Sequence, residues 1–412
     1  MKDQITKRFI IGALIIAALL ISFNFIKSFV QDPDVGAYDS SGQIVAIEQT
    51  RDGGRLALFD EAGKRIDPPK PSKATYDDRE VSWAVDGSRI FVSSNRETNA
   101  YNVYRWNPGD QKFMRRSKGT RSQGAPWFGP AGDPDAKNLG LLQTGGQIFE
   151  LDVKTGDLGQ ILPPPGERIS VGEEGAKGSM EGYDRFGTAF TKARYAGSKE
   201  MIYGLMRNDE GYTMVFQPVG VDAMGQPLRP IEMYRGQIVD FETDPNGVGA
   251  VLVRGFQFPP YQDVPKEFIK GGKVVKPFSS ALFRVTIGPD GKPASEAVIV
   301  VGPDAPEAVG DFAISPDGLQ IAVVVGAKTE GGGFEPAVML VMPFKVNGGA
   351  EAKPVVQGRV SSPSWSGDGT KLAYLKQDGK DIDIYRVNAD GSSETKVTSG
   401  GTWLSPRFSP AK

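Results

Sequence analysis

The sequence predicts an all-β fold: a β-propeller of seven blades, closed by its own C-terminal strand and preceded by one N-terminal transmembrane helix. Three observations carry this expectation. A unit of four short strands recurs along the chain, 52 glycines and 30 prolines punctuate it evenly, and residues 9–26 hold no charge. Six or eight blades are the alternatives, because the middle units match the repeat weakly.

The unit is clearest near the C-terminus. Ser362-Pro363-Ser364-Trp365-Ser366-Gly367-Asp368-Gly369 leads into the apolar run Lys371-Leu372-Ala373-Tyr374-Leu375. Ile382-Asp383-Ile384-Tyr385-Arg386-Val387 follows, then the turn Asn388-Ala389-Asp390-Gly391 and a short closing strand, Thr395 to Thr398. In each Asp-Gly turn the carboxylate accepts from the backbone two residues on, and the glycine tolerates positive φ. The flanking runs are rich in β-branched and aromatic residues, which suit a pleated, half-buried surface. The unit recurs at Trp83 with Asp86-Gly87, at Thr243 with Asn246-Gly247, and at Ile314 with Asp317-Gly318. The separations Asp317 to Asp368 and Trp83 to Trp127 each suit one blade, which puts Trp83, Trp127 and Trp365 at one repeat position.

Third strands supply the count. They are expected at 56–59, 101–106, 147–152, 213–217, 281–286, 338–344 and 382–387, each followed by a glycine-bearing turn. The first unit lacks an opening strand, whereas the last residues, Trp403 to Pro410, align with Val360 to Gly367 and have no unit behind them. Trp403 and Phe408 are therefore expected to close the ring by completing the first blade, which removes two exposed sheet edges.

Residues 1–8 carry Lys2, Lys7 and Arg8 and are expected in the cytoplasm. The run 9–26, at 1.5 Å per residue, spans roughly 27 Å and suits a signal anchor. Residues 27–36 are a linker and 37–412 the propeller. A cleaved signal peptide is the alternative, but bulky Phe23-Asn24-Phe25-Ile26 stands where a small-x-small cleavage site belongs. The expected location is the cytoplasmic (inner) membrane, single-pass, with the propeller in the periplasm or outside the cell.

Composition excludes much chemistry. The chain has no Cys and no His. Thiol nucleophiles, zinc-thiolate sites, Ser-His-Asp hydrolysis and imidazole acid–base catalysis are thereby removed. A net charge of −2 argues against nucleic acid as a partner.

The Trp-Ser-x-Asp-Gly turn, the apolar strand after it and the later Ile-Tyr-x-x-x-x-Asp-Gly resemble the TolB-type propeller repeat, a WD-like family. The resemblance is strong over Gly358 to Gly400, good over Arg79 to Asn107 and Asp311 to Val325, and loosely covers residues 36–412. Relatives of this repeat occur in the periplasmic TolB protein and in propeller domains of some peptidases. The chain departs from TolB in lacking room for an α/β domain before the ring, so the resemblance implies a fold and not the Tol-Pal role.

The candidate sites are few. Asp86, Asp317 and Asp368 recur in register and are read as turn-capping carboxylates. The segment 256–278 exceeds the repeat, and its Phe256, Phe258, Tyr261, Lys266 and Lys270 form a candidate partner-binding loop. The acidic run Asp77-Asp78-Arg79-Glu80 is a weak candidate for calcium, without EF-hand spacing. No catalytic, cofactor or other metal residues are expected. These readings favour a protein-binding scaffold, or a subunit of a bacterial envelope complex, with envelope or membrane proteins and the bilayer as partners. The alternative is a carbohydrate-active enzyme using paired carboxylates, which such sites place about 5–9.5 Å apart across a pocket.

Overall fold

The computed structural model describes residues 38–411 except 110, 118–120, 130–137, 164–188, 197–200, 209–210, 219–227, 229–230, 237, 246–249, 256–265, 267–268, 275–280, 288–292, 301–305, 331–332 and 346–347. The expected span 9–26 lies outside these residues. Among the described residues, no helix is long and apolar enough to cross a membrane.

The described residues form seven four-stranded antiparallel sheets and one two-stranded hairpin. Sheet 1 is built from Ile44–Thr50, Gly53–Phe59, Arg65–Ile66 and the C-terminal Trp403–Phe408, which pairs with Ile44–Thr50. Sheets 2 to 7 follow in chain order and open with Asp78–Trp83, Trp127–Phe128, Ala189–Tyr195, Ile238–Thr243, Glu307–Ile314 and Val360–Trp365. Each of these six sheets continues through three further antiparallel strands in sequence order.

Apolar clusters between neighbouring sheets join them into a cycle. Val45 and Leu58 of sheet 1 pack with Trp83 and Val92 of sheet 2. Phe91 then meets Phe128 of sheet 3, with ring centroids 4.7 Å apart. Leu141 packs with Phe190, Tyr203 with Phe241, Phe283's neighbour Leu282 with Ile321, and Val324 with Trp365. The last cluster returns from Leu375 and Ile384 of sheet 7 to Phe59, Trp403 and Phe408 of sheet 1. The all-β propeller expectation stands on this cycle.

The repeated turns have one chemistry. Asp86, Asp317 and Asp368 accept from the backbone N–H of Ser88, Leu319 and Thr370, each at 3.0 Å. The following Gly87, Gly318 and Gly369 have φ of 71°, 67° and 71°, where a Cβ is strained.

Ladder register corrects one reading of the repeat. Trp83 pairs with Ile90 and Trp365 with Leu372, but in sheet 3 it is Phe128, opposite Gly140, that takes the equivalent place. Trp127 stands one residue earlier. A single-residue offset in a strand moves a side chain to the other face, so Trp127 does not share the role of the other two. Trp83 and Trp365 donate Nε1 to the carbonyls of Arg407 and Ala313 in the preceding sheet, both at 3.0 Å. Trp127 instead carries the guanidinium of Arg194, 3.6 Å from its ring centroid.

Candidate functional site: a charged collar in the central channel

The first strand of sheets 2 to 7 and the C-terminal strand of sheet 1 line a central cavity of about 440 Å³. A second cavity of about 420 Å³ opens between sheets 2, 3 and 4, and Ser82, Trp127 and Arg407 line both. The register places one residue per sheet at this level: Ser82, Trp127, Arg194, Glu242, Ala313, Ser364 and Arg407. A register shift recurs in the first strands of sheets 2, 4, 5, 6 and 7 and between the C-terminal strand and Ile44–Thr50. Such bulges bend a strand and re-aim its side chains. At the shift, Ser362 and Ser405 hold equivalent left-handed backbone, with φ of 54° and 50°.

Three sheets bring charge to the collar. Lys192 Nζ donates to Asp240 Oδ1 at 2.6 Å, to the Phe241 carbonyl at 2.6 Å and to Glu242 Oε1 at 3.1 Å. Arg194 Nε approaches Glu242 Oε2 at 3.5 Å, and its guanidinium lies 3.6 Å from the centroid of Trp127. Arg407 lies 5.4 Å from the same ring, and its Nε is buried without a hydrogen-bond partner. Stacking of this kind suits guanidinium, whose planar charge is weakly hydrated.

Burial alone would raise the Glu242 carboxyl, but Lys192, Arg194 and Arg407 together hold it at about 2. The same burial lowers the Arg407 guanidinium; Arg194 adds to that decrease and Glu242 opposes it. A carboxylate held below its unfolded value of 4.5 stabilises the fold above that pH. The contribution is lost as the pH falls from about 4.5 toward 2. Glu242→Gln should therefore lower the urea midpoint clearly at pH 7 and much less at pH 3. An equal gap between variant and wild type at both pH values would show that Glu242 is not held electrostatically.

The sequence-predicted residues lie elsewhere. Phe256, Phe258 and Tyr261 fall outside the described residues. Lys266 is exposed, and Lys270 belongs to an exposed hairpin, Ile269–Lys270 with Lys273–Val274, turned through Gly271 and Gly272. Asp86, Asp317 and Asp368 stay in their turns. The carboxylates of the acidic run each meet a different protein donor. Asp77 accepts from Gly54 N and Tyr101 Oη at 2.6 Å each, Asp78 is bound by Arg96, and Glu80 accepts from Ala125 N at 2.9 Å. Among the described residues, no group of three or more His, Cys, Asp or Glu side chains is placed to hold a metal ion.

The collar residues Lys192, Arg194, Glu242 and Arg407 went unnoticed in the sequence. One signal was available. Where sheets 2, 6 and 7 carry Ser82, Ala313 and Ser364, sheets 4, 5 and 1 carry a charge.

No family model matches the chain, and no curated protein matches it. Solved structures resemble it in fold. An oligogalacturonate lyase in complex with manganese aligns at TM-score 0.53 and 11% identity, covering 87% of this chain and 86% of the lyase. A puromycin hydrolase S511A mutant complexed with PGG aligns at TM-score 0.55 and 10% identity, covering 88% of this chain and 53% of the hydrolase. TolB from Acinetobacter baumannii aligns at TM-score 0.46 and 14% identity, covering 90% and 67%. At these identities the alignments to the lyase and the hydrolase show the fold alone: this chain is a β-propeller.

Proposed function

We propose that the chain is a seven-bladed, membrane-anchored propeller that acts as a binding scaffold in a bacterial envelope complex, without enzymatic activity of its own. The observation that carries this reading is the state of the channel carboxylates. A glycosidase or lyase needs a carboxyl poised to give or take a proton near neutral pH. Glu242 is instead shared by Lys192, Arg194 and Arg407 and held at about 2. Asp240 is tied to Lys192 at 2.6 Å. Glu242 is thereby a charge partner with no proton to deliver near neutral pH.

The proposed location rests on the uncharged run 9–26 behind Lys2, Lys7 and Arg8. The proposed partners are envelope or membrane proteins, received by loops that exceed the repeat, first of all the segment 256–278. The carboxylate-enzyme reading is supported by the fold likeness to the oligogalacturonate lyase and by the acidic side chains of the channel, but it must release Glu242 from three cations before chemistry begins.

The experiment is affinity capture of the full chain from crosslinked envelopes. Specific partners at stoichiometric level are expected, and they should be lost when residues 257–277 are replaced by a short Gly-Ser turn in a protein that still folds. Absence of any specific partner would overturn the scaffold reading. Retention of every partner by the replaced loop would move the binding surface elsewhere on the ring.

A further inference from the structure

The collar brings three cations, Lys192, Arg194 and Arg407, to the carboxylates of Asp240, Glu242 and Asp311. Lys192 is matched by Asp240 at 2.6 Å, and Arg194 reaches Glu242 at 3.5 Å. Arg407 enters the same field third, with its Nε buried and unbonded. A buried donor without an acceptor is costly, and a guanidinium fork is shaped to take a carboxylate through two parallel hydrogen bonds. Burial also depresses the Arg407 guanidinium, against the opposing carboxylates of Glu242, Asp240 and Asp311.

The surroundings say what the rest of such a ligand would be. Arg407 borders the cavity of about 440 Å³, which Tyr195, Phe312 and Trp365 also line. Trp127 is only half-buried and lines the same cavity beside Arg407. The volume suits a small organic ligand, and largely apolar walls with a few convergent polar groups are the usual form of such sites.

We infer that the channel binds a small carboxylic acid with a flat apolar body, its carboxylate received by Arg407 beside Arg194 and its body lying against Trp127. This goes beyond the scaffold reading, which places partners on the outer loops, and adds a small-molecule site in the channel.

Calorimetric titration of the purified full chain with 2-naphthoate, 2-naphthamide and D-glucuronate tests the inference. Naphthoate should bind one to one, with the neutral amide at least tenfold weaker. Arg407→Gln should weaken naphthoate at least tenfold in a protein that still folds. Should that variant fail to fold, Trp127→Leu serves instead, and it should weaken naphthoate while leaving D-glucuronate without measurable heat. Equal binding of acid and amide, binding of glucuronate in place of naphthoate, or no heat from any of the three would overturn the site. Chemical conversion of a bound acid would overturn the non-catalytic reading and leave the Arg407 site standing.

Discussion

Deleting residues 402–412 should open the ring and lower the melting temperature by about 10 °C or more. Trp403 and Phe408 are 3% and 5% exposed, and Trp403 meets Phe59 edge-on with ring centroids 5.2 Å apart. Burying side chains of this size is worth about 1.5–3 kcal/mol each, and in a large domain each kcal/mol moves the melting temperature by about 2–4 °C. The ladder adds to this. Gln49 N donates to the Thr402 carbonyl at 2.7 Å and Ser409 N to the Gln43 carbonyl at 2.9 Å. Without them Ile44–Thr50 becomes a free edge of apolar sequence, a template for pairing between chains. The truncated protein should therefore melt early and also aggregate. Differential scanning calorimetry with light scattering reads both, and a melting temperature within about 2 °C of wild type would refute closure by this strand.

The repeat was legible in the sequence because it is enforced locally. An Asp-Gly turn needs a carboxylate and a glycine at fixed positions, so Asp86, Asp317 and Asp368 announce their turns wherever the backbone goes. The closing strand was legible for a related reason: Trp403 to Pro410 copies Val360 to Gly367 without a unit behind it, and the matching φ of Ser362 and Ser405 carries the copy down to the backbone. The register of sheet 3 was not legible, because spacing alone cannot separate Trp127 from Phe128 when both are aromatic. The collar was least legible of all. Lys192 and Arg194 of sheet 4 meet Glu242 across a blade boundary, Arg407 of sheet 1 joins them only when the ring closes, and no local rule links them. Their trace in the sequence is negative, a charge where the repeat elsewhere keeps a small residue.

Arg96→Ala should destabilise the protein by about 3–5 kcal/mol, because it strips the partner from a buried carboxylate. Asp78 and Arg96 have side-chain exposures of 0% and 2%. They meet through two parallel hydrogen bonds, Nε to Oδ1 at 3.0 Å and Nη2 to Oδ2 at 2.7 Å. The pair fastens sheet 1 to sheet 2. Asp78 Oδ2 also accepts from Leu56 N at 3.0 Å, and Arg96 Nη1 donates to the Pro69 carbonyl at 3.0 Å in the connection between the sheets. Phe113 lies 3.9 Å from the guanidinium and excludes water from it. Arg96→Lys keeps the charge but loses the fork and the stacking, so it should fall between wild type and Arg96→Ala. The double variant Asp78→Leu with Arg96→Met removes both charges. It should be more stable than Arg96→Ala alone, yet below wild type, because the Leu56 N–H is then left without its acceptor. Urea unfolding at low and at high salt separates this bolt from the surface pairs. Arg65–Asp67, which is exposed, should weaken as salt rises, whereas the Arg96→Ala loss should be the same in both. A loss that shrinks with salt, or a double variant no better than the single one, would mean that the two sheets are held together by their apolar cluster and not by this pair.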